Sequence, residues 1–147
     1  MIKLKVLRGK KIYIAGHRGM VGSALLRYFK NNEIKKLIYA DKKQLNLLDK
    51  KKVNEFIKKK KPHIIVNCAG RVGGILANST FPVEFLNENI EIQLNLINAS
   101  FKNKIKHFIN LGSSCIYPNN FTRHIKEEYL LTSTLEKTNE AYALAKI

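Results

Sequence analysis

Apolar positions along the chain alternate between two periods. Residues 10–16, KKIYIAG, are a short β-branched and aromatic run ending in glycine, the pattern of a buried strand. In GMVGSALLRYFKNN the period changes: Val21, Ala24, Leu25 and Phe29 recur at helical spacing, Tyr28 flanks them, and Asn31-Asn32 end the element. KKLIYAD (35–41) is a second predicted strand. After LNLLD a helix is predicted with Asp49 as its N-cap, because Val53, Phe56 and Ile57 share one face. Pro62 punctuates, and HIIVNCAG (63–70) reads as another strand running into glycine. RVGGILANSTFP reads as a loop. From Pro82 to Phe101 a long helix is predicted, with Phe85, Asn89, Ile92, Leu96 and Ala99 on a stripe. KHFINLGSS (106–114) is the next strand, and NEAYALAKI opens a last helix near Asn139. Strand–helix alternation of this kind predicts an α/β fold, a doubly wound Rossmann-type parallel sheet with helices on both faces.

Composition narrows the class. The 147 residues suffice for one domain with its own core. No apolar stretch approaches the roughly 20 residues that span a bilayer, and the basic N-terminus has no apolar region behind it as a secretory signal would. Cys68 and Cys115 are too few for a disulfide framework and read as reduced thiols of a cytoplasmic protein. Lys and Arg number 27 against 11 acidic residues, a net charge of +16. That balance attracts anions. The lysines nevertheless fall in helix-like runs at 50–52 and 58–61, without interleaved aromatics to stack on bases. A solvated lysine-rich surface accounts for them, so neither nucleic acid nor a membrane is expected as a partner.

GHRGMVG places Gly16, Gly19 and Gly22 three apart between a strand and a helix. A tight turn needs a residue without Cβ, a pyrophosphate needs close backbone approach, and a helix N-terminus offers free N–H groups to its charge. The alternative is a purely structural glycine turn. Asp41 at the end of the second strand suits the ribose hydroxyls of NAD and would repel a 2′-phosphate. Arg18 in the turn and Lys42-Lys43 beside Asp41 suit that phosphate, which tips the reading toward NADP(H), with NAD as the alternative.

Tyr142 and Lys146 are four apart on a predicted helix and point the same way. A neighbouring ammonium is expected to lower the phenol pKa, making the pair a usable proton donor and acceptor. Tyr-x-x-x-Lys alone is a common accident on amphipathic helices. Here it follows Ser113, at a strand end where doubly wound sheets bind ligands and a serine can hydrogen-bond a reacting carbonyl.

Glycine turn, strand-end serine and Tyr-x-x-x-Lys together resemble the extended short-chain dehydrogenase/reductases. GHRGMVGSALLR, LNLLD, RVGGILAN, LGSSCIYP and TLEKTNEAYALAKI are similar, more narrowly, to the GDP-L-fucose synthase branch of that family, from Lys11 to Ile147. The resemblance implies an NADP(H)-dependent enzyme that converts GDP-4-keto-6-deoxy-D-mannose to GDP-L-fucose by 3,5-epimerisation and 4-keto reduction. It implies that Tyr142 exchanges a proton with the keto oxygen, that Lys146 tunes Tyr142 and holds the nicotinamide ribose, and that Ser113 binds the keto oxygen. Cys115 matches a cysteine that exchanges protons at sugar carbons 3 and 5. The implied cofactor contacts are Gly16, His17, Arg18, Gly19, Met20, Val21 and Gly22 in the turn. Lys42, Asn46 and Leu47 match contacts on the adenosine side, and Leu111, Gly112 and Lys146 contacts further along. No metal is assigned.

Lys137 and Ala141 stand where the branch carries prolines, and a proline expected near His124 is missing. Members of the branch run to about twice this length, with an acid/base histidine beyond the lysine, a position that none of His17, His63, His107 or His124 fills. Residues 1–147 are therefore expected to be an incomplete NAD(P)-binding Rossmann domain, inactive alone and homodimeric when full length, pairing through the helices at 82–101 and 139–147. Other readings are a different nucleotide-sugar epimerase or dehydratase of the extended family, a dinucleotide-binding regulator without catalysis, and a basic nucleic-acid-binding domain. The last gives no reason for the Ser113, Tyr142 and Lys146 spacing.

Overall fold

The computed structural model describes residues 4–120 and 124–147. The chain divides into two compact units, Met1–Ala69 with Ile92–Leu111, and Gly70–Glu91 with Gly112–Ile147.

The first unit is built on four parallel strands, β1 (Ile12–Ala15), β2 (Leu37–Ile38), β3 (Ile64–Asn67) and β4 (His107–Asn110), in the order β2-β1-β3-β4. Ile12 pairs with Leu37 on one side and Ile64 on the other, and Ile64 pairs with His107. Alternation along β1 then sorts its side chains. Ile12 and Ile14 pack with Val66, Ile34 and Phe29 of helix α1 (Met20–Asn31). Tyr13 and Ala15 pack on the opposite face with Val53 and Ile57 of α2 (Lys50–Lys60). Ile92, Leu96 and Ala99 from the second half of α4 (Pro82–Lys102) complete that layer. Each large aliphatic side chain buried this way contributes about 1.5–3 kcal/mol. The sheet is doubly wound, with helices on both faces as its strand–helix alternation predicts.

Asp49 caps α2, its Oδ1 accepting from the Lys52 N–H at 3.0 Å. At the other end Lys61 takes the left-handed conformation (φ 49°) just before Pro62.

β2 is shorter than the run at 35–41 predicts. Its backbone turns away after Ile38, because the Asp41 carbonyl accepts from the Gln44 and Leu45 N–H groups and so closes a turn. Tyr39 then lies against the His17 ring, with centroids 4.9 Å apart.

The second unit holds the other correction. RVGGILANSTFP contains a helix, α3 (Ile75–Thr80), rather than loop throughout. Asn78 fastens its start, with Nδ2 donating to the Gly73 and Gly74 carbonyls at 2.9 and 3.1 Å. In sequence, seven residues between Gly74 and Pro82 are too few to show helical period. The first half of α4, a 3₁₀ turn at Ser114–Ile116, and α5 (Glu140–Lys146) complete this unit's main elements. Among the described residues, no helix is long and apolar enough to cross a membrane.

Candidate active site

In the first unit, β1 delivers the chain into the glycine turn. Gly16 has φ 76°, and a Cβ there would lie 2.6 Å from the Ala69 backbone nitrogen. At Gly22, inside the first turn of α1, a Cβ would collide with the Gly16 carbonyl. Both positions therefore require glycine for backbone packing. Gly19 is the N-cap of α1; it supplies no side-chain cap, and no acidic residue sits in the first turn. Met20 and Val21 are exposed beside it. The result is a helix N-terminus with free N–H groups at the end of a tight turn, suited to a pyrophosphate.

Beyond the turn, Arg18 pairs with Asp41 at 3.0 Å. Asp41 is itself fixed, its Oδ1 accepting from Gln44 N–H while Gln44 Oε1 accepts from Asp41 N–H. Lys42 is exposed next to this pair. Asn46 Oδ1 accepts from Leu48 N–H, and the Leu47 carbonyl accepts from Asn95 Nδ2 at 2.9 Å, so this loop is pinned to α4. At the end of β4 the Leu111 N–H donates to the Asn67 carbonyl. Buried Asn67 also donates to Asn110 Oδ1 at 2.8 Å, and Asn110 donates to Gln93.

In the second unit, Ser113 follows exposed Gly112 and caps the 3₁₀ turn, its Oγ accepting from Cys115 N–H. Cys115 is half-buried, and its Sγ accepts from Asn139 Nδ2 at 3.5 Å. Asn139 leads into α5, which carries Tyr142 and Lys146. The Lys146 ammonium lies 5.8 Å from the Tyr142 ring centroid, and Phe85 of α4 meets that ring edge-on at 6.4 Å. Ser113, Cys115, Tyr142 and Lys146 are thus gathered in this unit, while the turn residues Gly16 to Gly22 belong to the other.

The electrostatics differ from the sequence expectation. Burial raises the Tyr142 pKa above 10.0; the hydrogen bond with Ser113 pulls it down and charge on Cys115 pushes it up. The Lys146 ammonium stands beside that ring, and its own pKa is lowered by burial. Desolvation is the largest influence on the phenol here.

The turn before α5 forms without the prolines. Glu136 accepts from the Thr138 side chain and, at 3.0 Å, from the Thr138 N–H, and these bonds hold its carboxyl below the ordinary value. Lys137 opens the 3₁₀ turn at Lys137–Asn139, and Ala141 sits in the first turn of α5.

The sequence profile of the NAD dependent epimerase/dehydratase family matches residues 12–147. The chain belongs to that family. Among other family proteins, it is 46% identical over 142 residues to the GDP-L-fucose synthase of Sinorhizobium fredii, covering 97% of this chain and 45% of that protein. It is 44% identical to the GDP-L-colitose synthase of Yersinia pseudotuberculosis, over 93% of this chain and 44% of that one. The GDP-mannoheptose C4 reductase of Campylobacter jejuni, solved with NADP bound, superposes with a TM-score of 0.90 at 34% identity, over 95% of this chain and 44% of that chain. The chain therefore spans under half the length of these relatives.

Sequence reasoning missed Asn89, Gly70 and Asn139 as parts of the site. Asn89, 1% exposed, accepts from the Arg71 N–H and donates to the Arg71 and Phe85 carbonyls. It so fixes the segment beside Lys146. The available signal was an asparagine on an otherwise apolar helix stripe.

Proposed function

We propose that residues 1–147 form the nucleotide-binding portion of an NADPH-dependent enzyme. It would convert a GDP-4-keto-6-deoxy-mannose substrate to GDP-L-fucose by epimerisation at carbons 3 and 5 and reduction at carbon 4. The observation that carries this reading is Ser113, Cys115, Tyr142 and Lys146 gathered in one unit, with Ser113 and Cys115 both acting on the Tyr142 phenol. The 39–46% identity to GDP-L-fucose synthases supports the substrate assignment.

The glycine turn fits a dinucleotide, since it ends at the N-terminus of α1, where no side chain caps the free N–H groups and no acidic residue stands in the first turn. Gly16 to Gly22 would hold the pyrophosphate. Arg18, which already engages the Asp41 carboxylate, would answer a 2′-phosphate with Lys42. Such a cofactor would supply a hydride for the keto carbon. Tyr142, neutral because its pKa is raised, hands its phenolic proton to the keto oxygen while the Ser113 hydroxyl hydrogen-bonds that oxygen. Lys146, next to the ring, would stabilise the phenolate left behind and bind a ribose hydroxyl. Before reduction, the keto group acidifies the adjacent C–H bonds, and Cys115 exchanges protons there, its sulfur oriented by Asn139.

A second reading is reduction at carbon 4 without epimerisation, favoured by the likeness to a C4 reductase. A hybrid separates the two: residues 1–147 replace the matching segment of the Sinorhizobium fredii enzyme. Assayed with GDP-4-keto-6-deoxy-mannose, it should oxidise NADPH in preference to NADH and yield GDP-L-fucose. An unepimerised reduced sugar would establish the second reading. A hybrid that binds NADPH, followed by fluorescence, yet reduces neither sugar would contradict both.

A further inference from the structure

Parallel strands begin at one edge of a sheet and end at the other, and the glycine turn occupies the end edge. We propose that the starting edge carries a second binding pocket, for a small amphiphilic anion with a phosphate or carboxylate head on an aliphatic body. The pocket is a cavity of about 540 Å³ lying wholly within the first unit, inside the range of roughly 300–1,000 Å³ usual for small-molecule sites. Leu7, Pro62, Ile64 and Ile105 give it aliphatic walls. Lys10, Lys58, Lys61, Lys104 and Lys106 also line it, and among the described residues no carboxylate does.

Two features show a formed pocket. Lys61 and Lys104 adopt left-handed backbone at the ends of α2 and α4, with φ of 49° and 54°. The turn after α4 is held by Lys104 N–H to the Phe101 carbonyl and Ile105 N–H to the Ser100 carbonyl. On the facing segment, His63 Nδ1 accepts from Lys11 N–H at 2.9 Å, which fixes its ring.

Lysines near helix C-termini complement the macrodipole, which accounts for Lys58, Lys61 and Lys104 without a ligand. It does not account for Lys10 and Lys106, which precede strands, or for the cavity between them. Cations around an aliphatic hollow select an anion with an apolar body. Among the described residues no Phe or Tyr lines the pocket; the His63 and His107 rings border walls that are mainly aliphatic, so an aliphatic body fits better than a nucleobase.

Calorimetric titration of the 147-residue chain with decyl phosphate, below its micelle concentration, tests this. One saturable site is expected, about tenfold or more tighter than for inorganic phosphate or decanol alone. The double variant Lys58→Glu/Lys106→Glu should weaken it about tenfold, while Lys50→Glu/Lys51→Glu, the same charge change at the far end of α2, should not. Saturating NADPH should leave the affinity unchanged. The proposal is overturned by absent saturation, by equal binding of phosphate or decanol, by equal loss in both double variants, or by displacement with NADPH.

Discussion

Asn89 and Lys146 both close on Gly70: a methyl group there would lie 2.7 Å from Asn89 Oδ1 and 3.4 Å from Lys146 Nζ. The segment that follows β3 is thereby fitted between a buried amide and the ammonium of the Tyr-x-x-x-Lys pair. Gly70→Ala is expected to displace the amide and cost about 1–3 kcal/mol of stability, as overpacking does. In the hybrid it should lower the reduction rate as well. Gly74→Ala, where nothing lies within 4 Å, should leave both unchanged. Chemical denaturation and NADPH oxidation read the two effects separately.

The glycine turn gives a contrast of the same kind. Gly16→Ala meets both a left-handed φ and the Ala69 backbone, so NADPH fluorescence titration should show binding lost. Gly9→Ala has a comparable φ of 81° but open space around it. That variant should lose about 1 kcal/mol of stability and keep its NADPH affinity.

These contrasts mark what the sequence could and could not carry. Strand–helix alternation and β-branched runs made the sheet legible, and Asp49 announced α2, because those signals are local. The glycine turn was legible for the same reason. The roles of Asn89 and Gly70 were not, because they arise where segments 18 residues apart meet (Arg71 N–H on Asn89). The raised Tyr142 pKa was missed because spacing on a helix reports direction, whereas burial is set by tertiary packing.

Burial of the phenols also predicts the alkaline limb of stability. Tyr13 and Tyr142 have pKa values raised above 10.0 by desolvation, so the folded state binds their protons more tightly. Their contribution is fully present below pH 10.0 and is lost as pH rises through the folded values. Lys146 acts oppositely: its pKa is lowered from 10.5, so its contribution is present above that pH and is lost as pH falls through the folded value. Urea unfolding should show stability falling above about pH 10, a fall made shallower by Tyr142→Phe and by Tyr13→Phe. Lys146→Met should raise stability at neutral pH while abolishing reduction in the hybrid. An unchanged alkaline limb in both tyrosine variants would show that the phenols are not the source.

Asn139 donates to the Cys115 sulfur, and its own Oδ1 is buried without a partner among the described residues. Asn139→Ala should leave the reduction of an already epimerised substrate within about twofold and slow epimerisation about tenfold, the loss of one oriented hydrogen bond. Product analysis by nuclear magnetic resonance distinguishes the two steps. Equal loss in both would assign Asn139 to the fold of the turn instead.

In the proposed reading, this chain's residues carry proton exchange at carbons 3 and 5 together with reduction at carbon 4. The hybrid run in deuterium oxide with unlabelled NADPH tests it most directly. GDP-L-fucose carrying deuterium at carbons 3 and 5 and protium at carbon 4, with the carbon-bound deuterium lost in Cys115→Ser, is the predicted result. A reduced sugar with no deuterium at carbons 3 and 5, or labelling unaffected by the cysteine substitution, would contradict the account.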